Sequence, residues 1–352
     1  TTQNNQEKED LLLTPIIAFL NRTLGTMVES KDKAVTEKKV DAPKEGTEKK
    51  SSVFLILFYL VLWYGLNIGF NIYNKKALNV FKAPWTVATA QLVVGWPIFI
   101  PLWILGIRKT PKLTSENLRV LSPNAAMHTL GHVSGVIALG AGAVSFTHIV
   151  KAMEPFFTAV LGAAIMGTIM PWQVYAALIP VCAGVGLASL KELSFTWLAF
   201  GGAMTSNVAC ALRGLISKSM MGVGQNMDAS NLFSVLTIYA TFLLTPFAAV
   251  LEGPTLFATW AKATEETDSQ TLMMYIGLSG FFFYTYNEVA FKLLGLVDPI
   301  TSAVANTIKR VVIIIVSVVV FQTQMTTMGI AGSSLAIGGV LIYSLAKQHY
   351  CK

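Results

Sequence analysis

Charged side chains are scarce in this sequence. Of its 352 residues, only 13% are Asp, Glu, Lys or Arg, whereas 53% are hydrophobic and the mean hydropathy is +0.58. Soluble globular domains carry about 25% charged residues and bury far less apolar surface than this chain holds. The composition therefore excludes a soluble protein and indicates an integral membrane protein.

Cysteine is also rare. Cys182, Cys210 and Cys351 are scattered, so they indicate neither a disulfide framework nor a CxxC metal pair. His128 and His132 are spaced four apart, as in some zinc helices, but there is no HExxH glutamate and no nearby carboxylate as a third ligand. We expect no metal site and no cofactor.

Signatures of catalysis and of phosphate loops are absent as well. The sequence shows no nucleophile–base pair, so we do not expect an enzyme. Three Gly-rich segments lack the Walker lysine and the flanking strand of a phosphate loop, and they predict small-residue faces where helices pack closely. These segments are "GAGAV" at 140–144, "GVGLA" at 184–188 and "GSSLAIGG" at 332–339.

The charges that are present are unevenly distributed. The first 50 residues hold nine basic and nine acidic side chains, so the whole net charge of +7 belongs to the rest of the chain. A basic excess suits nucleic acid, lipid headgroups or an anionic solute. Because several charges lie inside apolar runs, and no basic stripe with interleaved aromatics is present, we expect a solute and the lipid bilayer as partners, and no nucleic acid.

Residues 1–51 are a mixed-charge tail, poor in aromatics, which predicts disorder. The apolar patch Leu11–Leu20 is ten residues long and contains Pro15, so it can touch a membrane interface but cannot span the bilayer. The tail is acid-rich, unlike an organelle transit peptide, and begins at Thr1. We therefore interpret it as a mature or trimmed N-terminus.

From Ser52 onward, ten hydrophobic runs of spanning length alternate with polar or Gly/Pro-rich breaks. They predict an all-α membrane protein with ten transmembrane helices and a short C-terminal tail, 348–352. Because five is an odd number, two homologous halves, 52–190 and 195–347, would be inverted relative to each other. The predicted helices cover residues 52–74, 83–107, 116–140, 143–166, 171–190, 195–217, 230–251, 270–295, 298–321 and 326–347.

Two adjacent cations interrupt the ninth run. Lys309 and Arg310 lie near its middle, and no acidic residue lies within the stretch 303–321. Insertion scales disfavour each such cation by about 2.5–3.5 kcal/mol, so each calls for a partner. Lys151 has the corresponding place in the fourth run, where Pro155 is expected to kink the helix. Inverted-repeat transporters bind substrate where such paired helices meet, so we predict that the three cations converge.

The acids at comparable depth have local partners. Glu154 follows Lys151 by three residues, and Glu288 precedes Lys292 by four, so each pair can neutralise itself within one helix. Arg213 lies near the end of the sixth run and is expected to snorkel to the interface. The missing counter-charge is then the substrate, an anion of about two charges, and a phosphate dianion suits two lysines and one arginine.

Several stretches between about residues 52 and 347 match a known family. They include "LGHVSG", "AVSFTHIVKAMEPFF", "GLASLKELSFTWLAFGGAMTSN", "EGP" at 252–254, "YN" at 286–287 and "ANTIKRVVIIIVSVVVF". By these motifs the chain resembles the plastidic phosphate translocators, and is most like the triose-phosphate/phosphate translocator group. The resemblance implies the drug/metabolite transporter fold, an inverted five-plus-five repeat and a multi-pass position in the plastid inner envelope membrane.

The resemblance also implies site residues. It assigns phosphate binding to Lys151, Lys309 and Arg310, and selection among substrates to His132 and Tyr286. His132 favours the triose-phosphate group, because phosphoenolpyruvate-type carriers usually have Asn there. Five nearby positions are further candidates for contact with the substrate: Ser134, His148, Glu154, Glu288 and Lys292.

The expected activity is antiport by alternating access. Inorganic phosphate would exchange for triose phosphate, 3-phosphoglycerate or a similar three-carbon phosphate. Exchangers of hexose phosphate, pentose phosphate or phosphoenolpyruvate share the phosphate residues and stay open as alternatives, as does a nucleotide-sugar transporter. A membrane enzyme or a phosphate-binding receptor is a more remote alternative, and the oligomeric state is left open.

Overall fold

The computed structural model describes residues 53–190, 192–220, 223–294, 296–297 and 299–351. These residues form thirteen α-helices and no β-strand, and a single isolated bridge joins Lys112 to Gln225. The all-α prediction is confirmed for this part of the chain. The tail 1–51, for which the sequence predicts disorder, lies outside the described residues.

The helices follow one another with short connections. In chain order they are α1 Val53–Val80, α2 Pro84–Ile104, α3 Ser115–Ala141, α4 Val144–Val150, α5 Glu154–Met166, α6 Trp172–Ala176, α7 Ile179–Leu190, α8 Trp197–Met220, α9 Ala229–Leu251, α10 Leu256–Glu266, α11 Ser269–Leu294, α12 Pro299–Phe321 and α13 Thr327–Tyr350. Short 3₁₀ turns lie at Lys151–Met153 and Gly253–Thr255.

Local sequence explains where several helices begin and end. The side chains of Thr114, Asp228 and Thr326 each accept a hydrogen bond from a backbone N–H three residues later, which caps α3, α9 and α13. Pro84 opens α2, where its missing N–H removes no helix bond. Gly167 has φ +64° and ends α5 in the left-handed conformation that glycine adopts without strain.

Helices occur at all ten places where the sequence predicts them, but not all are equally apolar. Seven stretches of the described chain are long and apolar enough to cross a membrane: Phe54–Val80, Pro84–Ile104, Val144–Met166, Trp172–Leu190, Ala229–Leu251, Val304–Phe321 and Thr327–Tyr350. The other three, α3, α8 and α11, have 27, 24 and 26 residues and therefore sufficient length. Their lower apolarity reflects buried polar side chains, such as His132 on α3 and Asn207 on α8.

One helix lies where the sequence analysis placed a loop. The sequence predicts a connection over residues 252–269, between the helices at 230–251 and 270–295, whereas α10 covers Leu256–Glu266 of this stretch. The helix is amphipathic: Trp260 packs against Phe81 with ring centroids 5.6 Å apart, whereas Phe257 is 87% exposed. Such a pattern is typical of a helix that lies along a membrane surface, and a search for apolar runs of spanning length overlooks it.

The long helices pack in pairs. α3 lies along α8, α1 along α11, and α7 along α13, while α2 contacts both α9 and α11. The α7–α13 crossing depends on glycine: a Cβ at Gly184 would lie 2.4 Å from the backbone N of Ala336, and one at Gly332 would lie 2.5 Å from the N of Ala188. The predicted small-residue faces in 184–188 and 332–339 are thus confirmed as close helix contacts.

Candidate functional site

A cavity of about 400 Å³ lies among α1, α3, α4, α5, α8, α11 and α12. Residues from both predicted halves line it. Seven of the ten candidate residues are among its lining side chains: His132, His148, Lys151, Glu154, Tyr286, Lys309 and Arg310. The structure therefore brings the three predicted cations to one chamber, although they come from two helices that are more than 150 residues apart in sequence.

Lys151 lies where the fourth predicted helix is interrupted. α4 ends at Val150, a 3₁₀ turn covers Lys151–Met153, and α5 begins at Glu154 with Pro155 in its first turn. The predicted kink is confirmed, since proline cannot donate the hydrogen bond that would continue α4. The Lys151 Nζ donates to Ser206 Oγ at 2.9 Å, so its charged end is anchored on α8.

Lys309 is held by uncharged groups. Its Nζ lies 4.3 Å from the centroid of the Trp63 ring and donates to Asn306 Oδ1 at 3.2 Å. Within the described part of the chain, neither Lys309 nor Lys151 has a carboxylate at salt-bridge distance. Neither ammonium group is therefore neutralised by a described carboxylate.

Arg310 has the carboxylate that the sequence analysis assigned elsewhere. Its Nη2 donates to Glu154 Oε2 at 2.9 Å, which joins α12 to α5. The expected pairing of Glu154 with Lys151 is wrong, because the helix break turns the Lys151 side chain toward Ser206. The Glu154 side chain is 36% exposed, so this ion pair is in contact with the cavity rather than sealed in the core.

Arg213 also lines the cavity, so the expectation that it snorkels to the interface is wrong. Its Nη1 donates to Nδ1 of His128 at 2.9 Å, which holds the guanidinium between α8 and α3. With Arg213 included, the described residues that line the cavity comprise four cationic side chains and one carboxylate. Counting the histidines as neutral, the lining carries a surplus of three positive charges.

The remaining polar lining residues are held by neighbouring helices. The Nε2 of His132 donates to the Ala88 carbonyl at 3.2 Å, and the Nε2 of His148 donates to Asn71 Oδ1 at 2.8 Å. The Tyr286 ring lies 5.4 Å from that of Phe70. His148, one of the further candidates, thus both lines the cavity and bonds the neighbouring helix α1.

Three candidate residues lie elsewhere. Ser134, Glu288 and Lys292 are absent from the cavity lining. The Glu288 carboxylate accepts hydrogen bonds from Arg108 and lies 3.3 Å from the Lys292 Nζ, so the predicted pair with Lys292 is confirmed and Arg108 is an additional partner. Because Glu288 is occupied by two cations beside the cavity, we correct its assignment, and those of Lys292 and Ser134, to positions outside the site.

Several lining residues were missed from the sequence. Trp63, Asn67 and Asn71 contribute from α1, and Cys210 from α8. The two asparagines are spaced four apart within a largely apolar stretch of α1, a pattern that could have identified a polar face. Trp63 gave no comparable signal, because an aromatic residue in a membrane helix is as readily a packing or interfacial residue.

A chamber with several cations and one carboxylate favours a multiply charged anion. Guanidinium groups bind phosphate or carboxylate oxygens in a fork, and ammonium groups add point charges. Inside a bilayer, where bulk water does not screen these charges, the attraction is stronger than at a protein surface. The fold and site together define a membrane protein, all-helical over its described residues, with a positively charged central cavity.

Comparisons with known proteins identify the family. The Triose-phosphate Transporter family matches residues 54–344, and the chain belongs to this family. It is 38% identical over 308 residues to the triose phosphate/phosphate translocator of Flaveria pringlei, which covers 87% of this chain and 75% of the relative. The protein is therefore a transporter and not an enzyme.

Relatives with other substrate names are equally similar. Identity is 39% to phosphoenolpyruvate/phosphate translocator 1 of Oryza sativa subsp. japonica, over 82% of this chain and 70% of the relative. It is 35% to glucose-6-phosphate/phosphate translocator 1 of Arabidopsis thaliana, over 90% of this chain and 79% of the relative. All three relatives are named as chloroplastic.

A solved crystal structure shares the fold. It superposes with a TM-score of 0.52 over 86% of this chain and 99% of its own, at 14% sequence identity. At so low an identity the likeness concerns the arrangement of helices alone.

Proposed function

We propose that this protein exchanges inorganic phosphate for a phosphorylated three-carbon metabolite, such as triose phosphate or 3-phosphoglycerate, across the plastid inner envelope. The observation that carries the proposal is the central cavity, in which Lys151, Lys309, Arg310 and Arg213 are accompanied by one carboxylate among the described lining residues, that of Glu154. The family and the chloroplastic relatives support phosphate as the common substrate and the plastid as the location.

In this proposal the phosphate group binds Lys151, Lys309 and Arg310. The two ammonium groups make no ion pair with a described carboxylate, so they can turn their N–H groups to an anion without breaking one. Arg310 shares its fork between Glu154 and the phosphate. His132 and Tyr286, which line the same cavity, contact the carbon end and select among compounds with the same phosphate group.

We further propose ten membrane-spanning helices in an inverted repeat of two halves, 52–190 and 195–347. The spans are numbered 1 to 10 in chain order. Helices α4 and α5 together form span 4, α6 and α7 together form span 5, and the short helix α10 is not counted as a span. Span 3 packs on span 6 (α3 on α8), and span 8 packs on span 1 (α11 on α1). Adding five to each number of the first pair, and counting on from span 10 to span 1, yields the second pair, so the two contacts are equivalent under the repeat.

Other contacts follow the same rule. Span 5 packs on span 10, and span 2 packs on span 7. Adding five to both numbers of either pair gives the same pair again, so each of these contacts is its own equivalent under the repeat. The contact of span 2 with span 8 likewise corresponds to that of span 7 with span 3. An inverted repeat of this kind supports alternating access by rocking one half against the other around a central site.

Electrostatics then explains coupling between substrates. An empty cavity with surplus positive charge needs water, and closing it would strand unbalanced cations in a medium of low dielectric constant. A phosphate dianion removes most of the surplus and permits closure. Exchange is therefore obligatory, because the protein changes its accessible side only with an anion bound.

Reconstitution in liposomes tests this function. Purified protein in liposomes is expected to take up labelled phosphate when the vesicles are loaded with phosphate or a phosphorylated compound, and not when they are loaded with buffer alone. Loss of a charge-assisted hydrogen bond amounts to about 1.5–3 kcal/mol, so Lys309→Ala and Arg310→Ala should each reduce uptake at low phosphate by about tenfold or more. Lys262→Ala on the exposed helix α10 is the matched control. Normal exchange in Lys309→Ala or Arg310→Ala would refute the site.

A competition panel tests the organic substrate. Triose phosphate and 3-phosphoglycerate should inhibit phosphate uptake more strongly than phosphoenolpyruvate or glucose 6-phosphate. Stronger inhibition by phosphoenolpyruvate or glucose 6-phosphate would assign the chain to those exchangers, to which its similarity is equal. Inhibition by nucleotide sugars alone would contradict phosphate exchange.

A further inference from the structure

The two lysines of the cavity are held in matching ways. Lys151 donates to Ser206 of α8 at 2.9 Å, and Lys309 lies over the Trp63 ring of α1 at 4.3 Å. Each holding side chain is electrically neutral. Neither lysine has a carboxylate at salt-bridge distance among the described residues, in contrast to Arg310 with Glu154.

The residue that follows each holding side chain fixes the backbone of the lysine's own helix. Asn207, next to Ser206, donates from Nδ2 to the Val150 carbonyl at 2.9 Å. Tyr64, next to Trp63, donates from its hydroxyl to the Ala305 carbonyl at 2.7 Å. Two consecutive residues of α8 thus hold Lys151 and its backbone, and two consecutive residues of α1 do the same for Lys309 and its backbone.

Neutral partners suit a lysine that must bind an anion. A carboxylate would cancel the charge that attracts the anion and would compete with it for the same N–H groups. A hydroxyl oxygen or an aromatic face stabilises the ammonium without cancelling its charge. It also restricts a long, flexible side chain, so less conformational entropy is lost when the anion binds.

The Trp63 contact depends on its ring rather than on its N–H group. Trp63 is 5% exposed, and its buried Nε1 makes no hydrogen bond to the described residues. The ring lines the cavity on the same side as Lys309. Phenylalanine would therefore retain a π face without losing a hydrogen bond, whereas leucine would remove the interaction.

We infer that Trp63 and Ser206 are positioning residues that hold the ammonium groups of Lys309 and Lys151 toward the anion while leaving their charge intact. The inference rests on the proposed function, because it assumes that the two lysines bind phosphate. The Tyr64 hydroxyl fixes the position of α12 along α1, and the Asn207 amide fixes the end of α4 against α8. The two pairs are equivalent under the proposed repeat, in which α1 corresponds to α8.

Kinetics of phosphate exchange in liposomes test the inference. Trp63→Leu and Ser206→Ala are each expected to raise the KM for inorganic phosphate about three- to tenfold, with kcat within about twofold of wild type. Trp63→Phe should lie between wild type and Trp63→Leu, and Ser206→Thr, which keeps the hydroxyl, should stay near wild type. Phe58→Leu, on the exposed side of α1, is the control for loss of an aromatic residue.

Phosphate binding to detergent-solubilised protein gives a second readout. In a Lys309→Ala background, adding Trp63→Leu should cause no further loss of phosphate affinity, because the ring acts through the lysine. A further loss would show an independent role and overturn the inference. If the Trp63→Leu protein does not accumulate, Trp63→Phe and the Ser206 variants decide whether the inference holds, because Phe keeps an aromatic ring at position 63.

The outcomes separate this inference from the proposed function. A wild-type protein that does not exchange phosphate defeats the function itself. Wild-type exchange with an unchanged KM in Trp63→Leu or in Ser206→Ala overturns the paired arrangement. Trp63→Leu and Trp63→Phe could instead lower kcat or the amount of protein equally, with KM unchanged. That result would show that Trp63 has a packing role alone and would overturn the inference.

Discussion

The only carboxylate in the described cavity lining, Glu154, contacts Arg310 directly. It has two opposing effects, because it stabilises a guanidinium within the bilayer and competes with an incoming anion for the same N–H groups. Partial exposure limits the strength of this ion pair, and such pairs contribute about 0.2–1 kcal/mol. In the proposed exchange, we expect the carboxylate to favour release of the anion while keeping the arginine in place.

Replacing Glu154 with Gln should show this competition. The amide oxygen can still accept from Arg310, but the negative charge is gone, so the KM for phosphate should fall by up to about fivefold and kcat should fall because release is slower. Exchange kinetics in liposomes measure both constants, with Glu192→Gln in the loop before α8 as a control. A rise in KM would mean that Glu154 aids binding instead.

Glu288 makes a different kind of ion pair outside the cavity. The side chains of Arg108 and Glu288 are 13% and 10% exposed, so the pair is shielded from water and joins the loop after α2 to α11. Removing Glu288 leaves Arg108 as an unpaired buried charge, which costs about 3–5 kcal/mol. Removing Arg108 costs less, because Lys292 still pairs with Glu288. The free energy of unfolding is expected to recover when the charges of Arg108 and Glu288 are removed together.

Thermal unfolding of detergent-solubilised variants tests this pair. Glu288→Gln and Arg108→Gln should each lower the midpoint clearly, and the double variant should recover most of the loss. Additive losses in the double variant would show that the two side chains stabilise the fold independently.

Among the helices, the crossing of α7 with α13 depends most directly on side-chain size. A Cβ at Gly184 or Gly332 would enter the backbone of the facing helix, whereas nothing lies within 4 Å of a Cβ at Gly186 or Gly338. Helix backbones can approach this closely only where the residue at the crossing is glycine, which has no Cβ atom. The same two segments thus supply both sensitive positions and matched controls.

Alanine substitutions should separate these positions. Gly184→Ala and Gly332→Ala are expected to lower the unfolding midpoint and the yield of folded protein. Gly186→Ala and Gly338→Ala should be neutral or raise the free energy of unfolding by up to about 1 kcal/mol, because alanine favours helix over glycine. Similar behaviour of all four variants would contradict the close crossing.

The bundle as a whole is tied at both ends of the α2–α9 pair. Glu252, after α9, accepts hydrogen bonds from the backbone N–H groups of Trp85 and Thr86 at the start of α2. At the other end, Asn231 of α9 accepts from Trp103 Nε1 and donates to the Lys109 carbonyl. These contacts join the two proposed halves through one pair of helices.

Labelling of single introduced cysteines tests the proposed ten crossings. In a variant without native cysteines, Lys112→Cys and Gln225→Cys should react equally with a membrane-impermeant reagent, because backbone hydrogen bonds place them at one end of the bundle. Thr264→Cys on α10 should react from the opposite side of sealed vesicles. Reaction of all three from one side would contradict the ten-span topology.

Much of the fold could be predicted from the order of residues. Apolar runs of spanning length located the helices because a bilayer-spanning segment must satisfy its backbone internally and expose apolar side chains. The three cations in apolar surroundings were detectable for the same reason, since an unexplained charge there is disfavoured. The amphipathic helix α10 escaped this reasoning because its eleven residues mix apolar and polar side chains and form no apolar run of spanning length.

The chemical nature of the chain was thus determined by sequence alone: a helical membrane protein with surplus positive charge in its interior and a phosphate-translocator motif around it. Only the tertiary structure decided which groups satisfy which charges. Glu154 lies three residues from Lys151 yet pairs with Arg310, and Arg213 turns inward to His128. Long side chains such as those of arginine and lysine can reach more than one neighbouring helix. Which partner is nearest depends on helix breaks and helix crossings, and sequence spacing does not encode these.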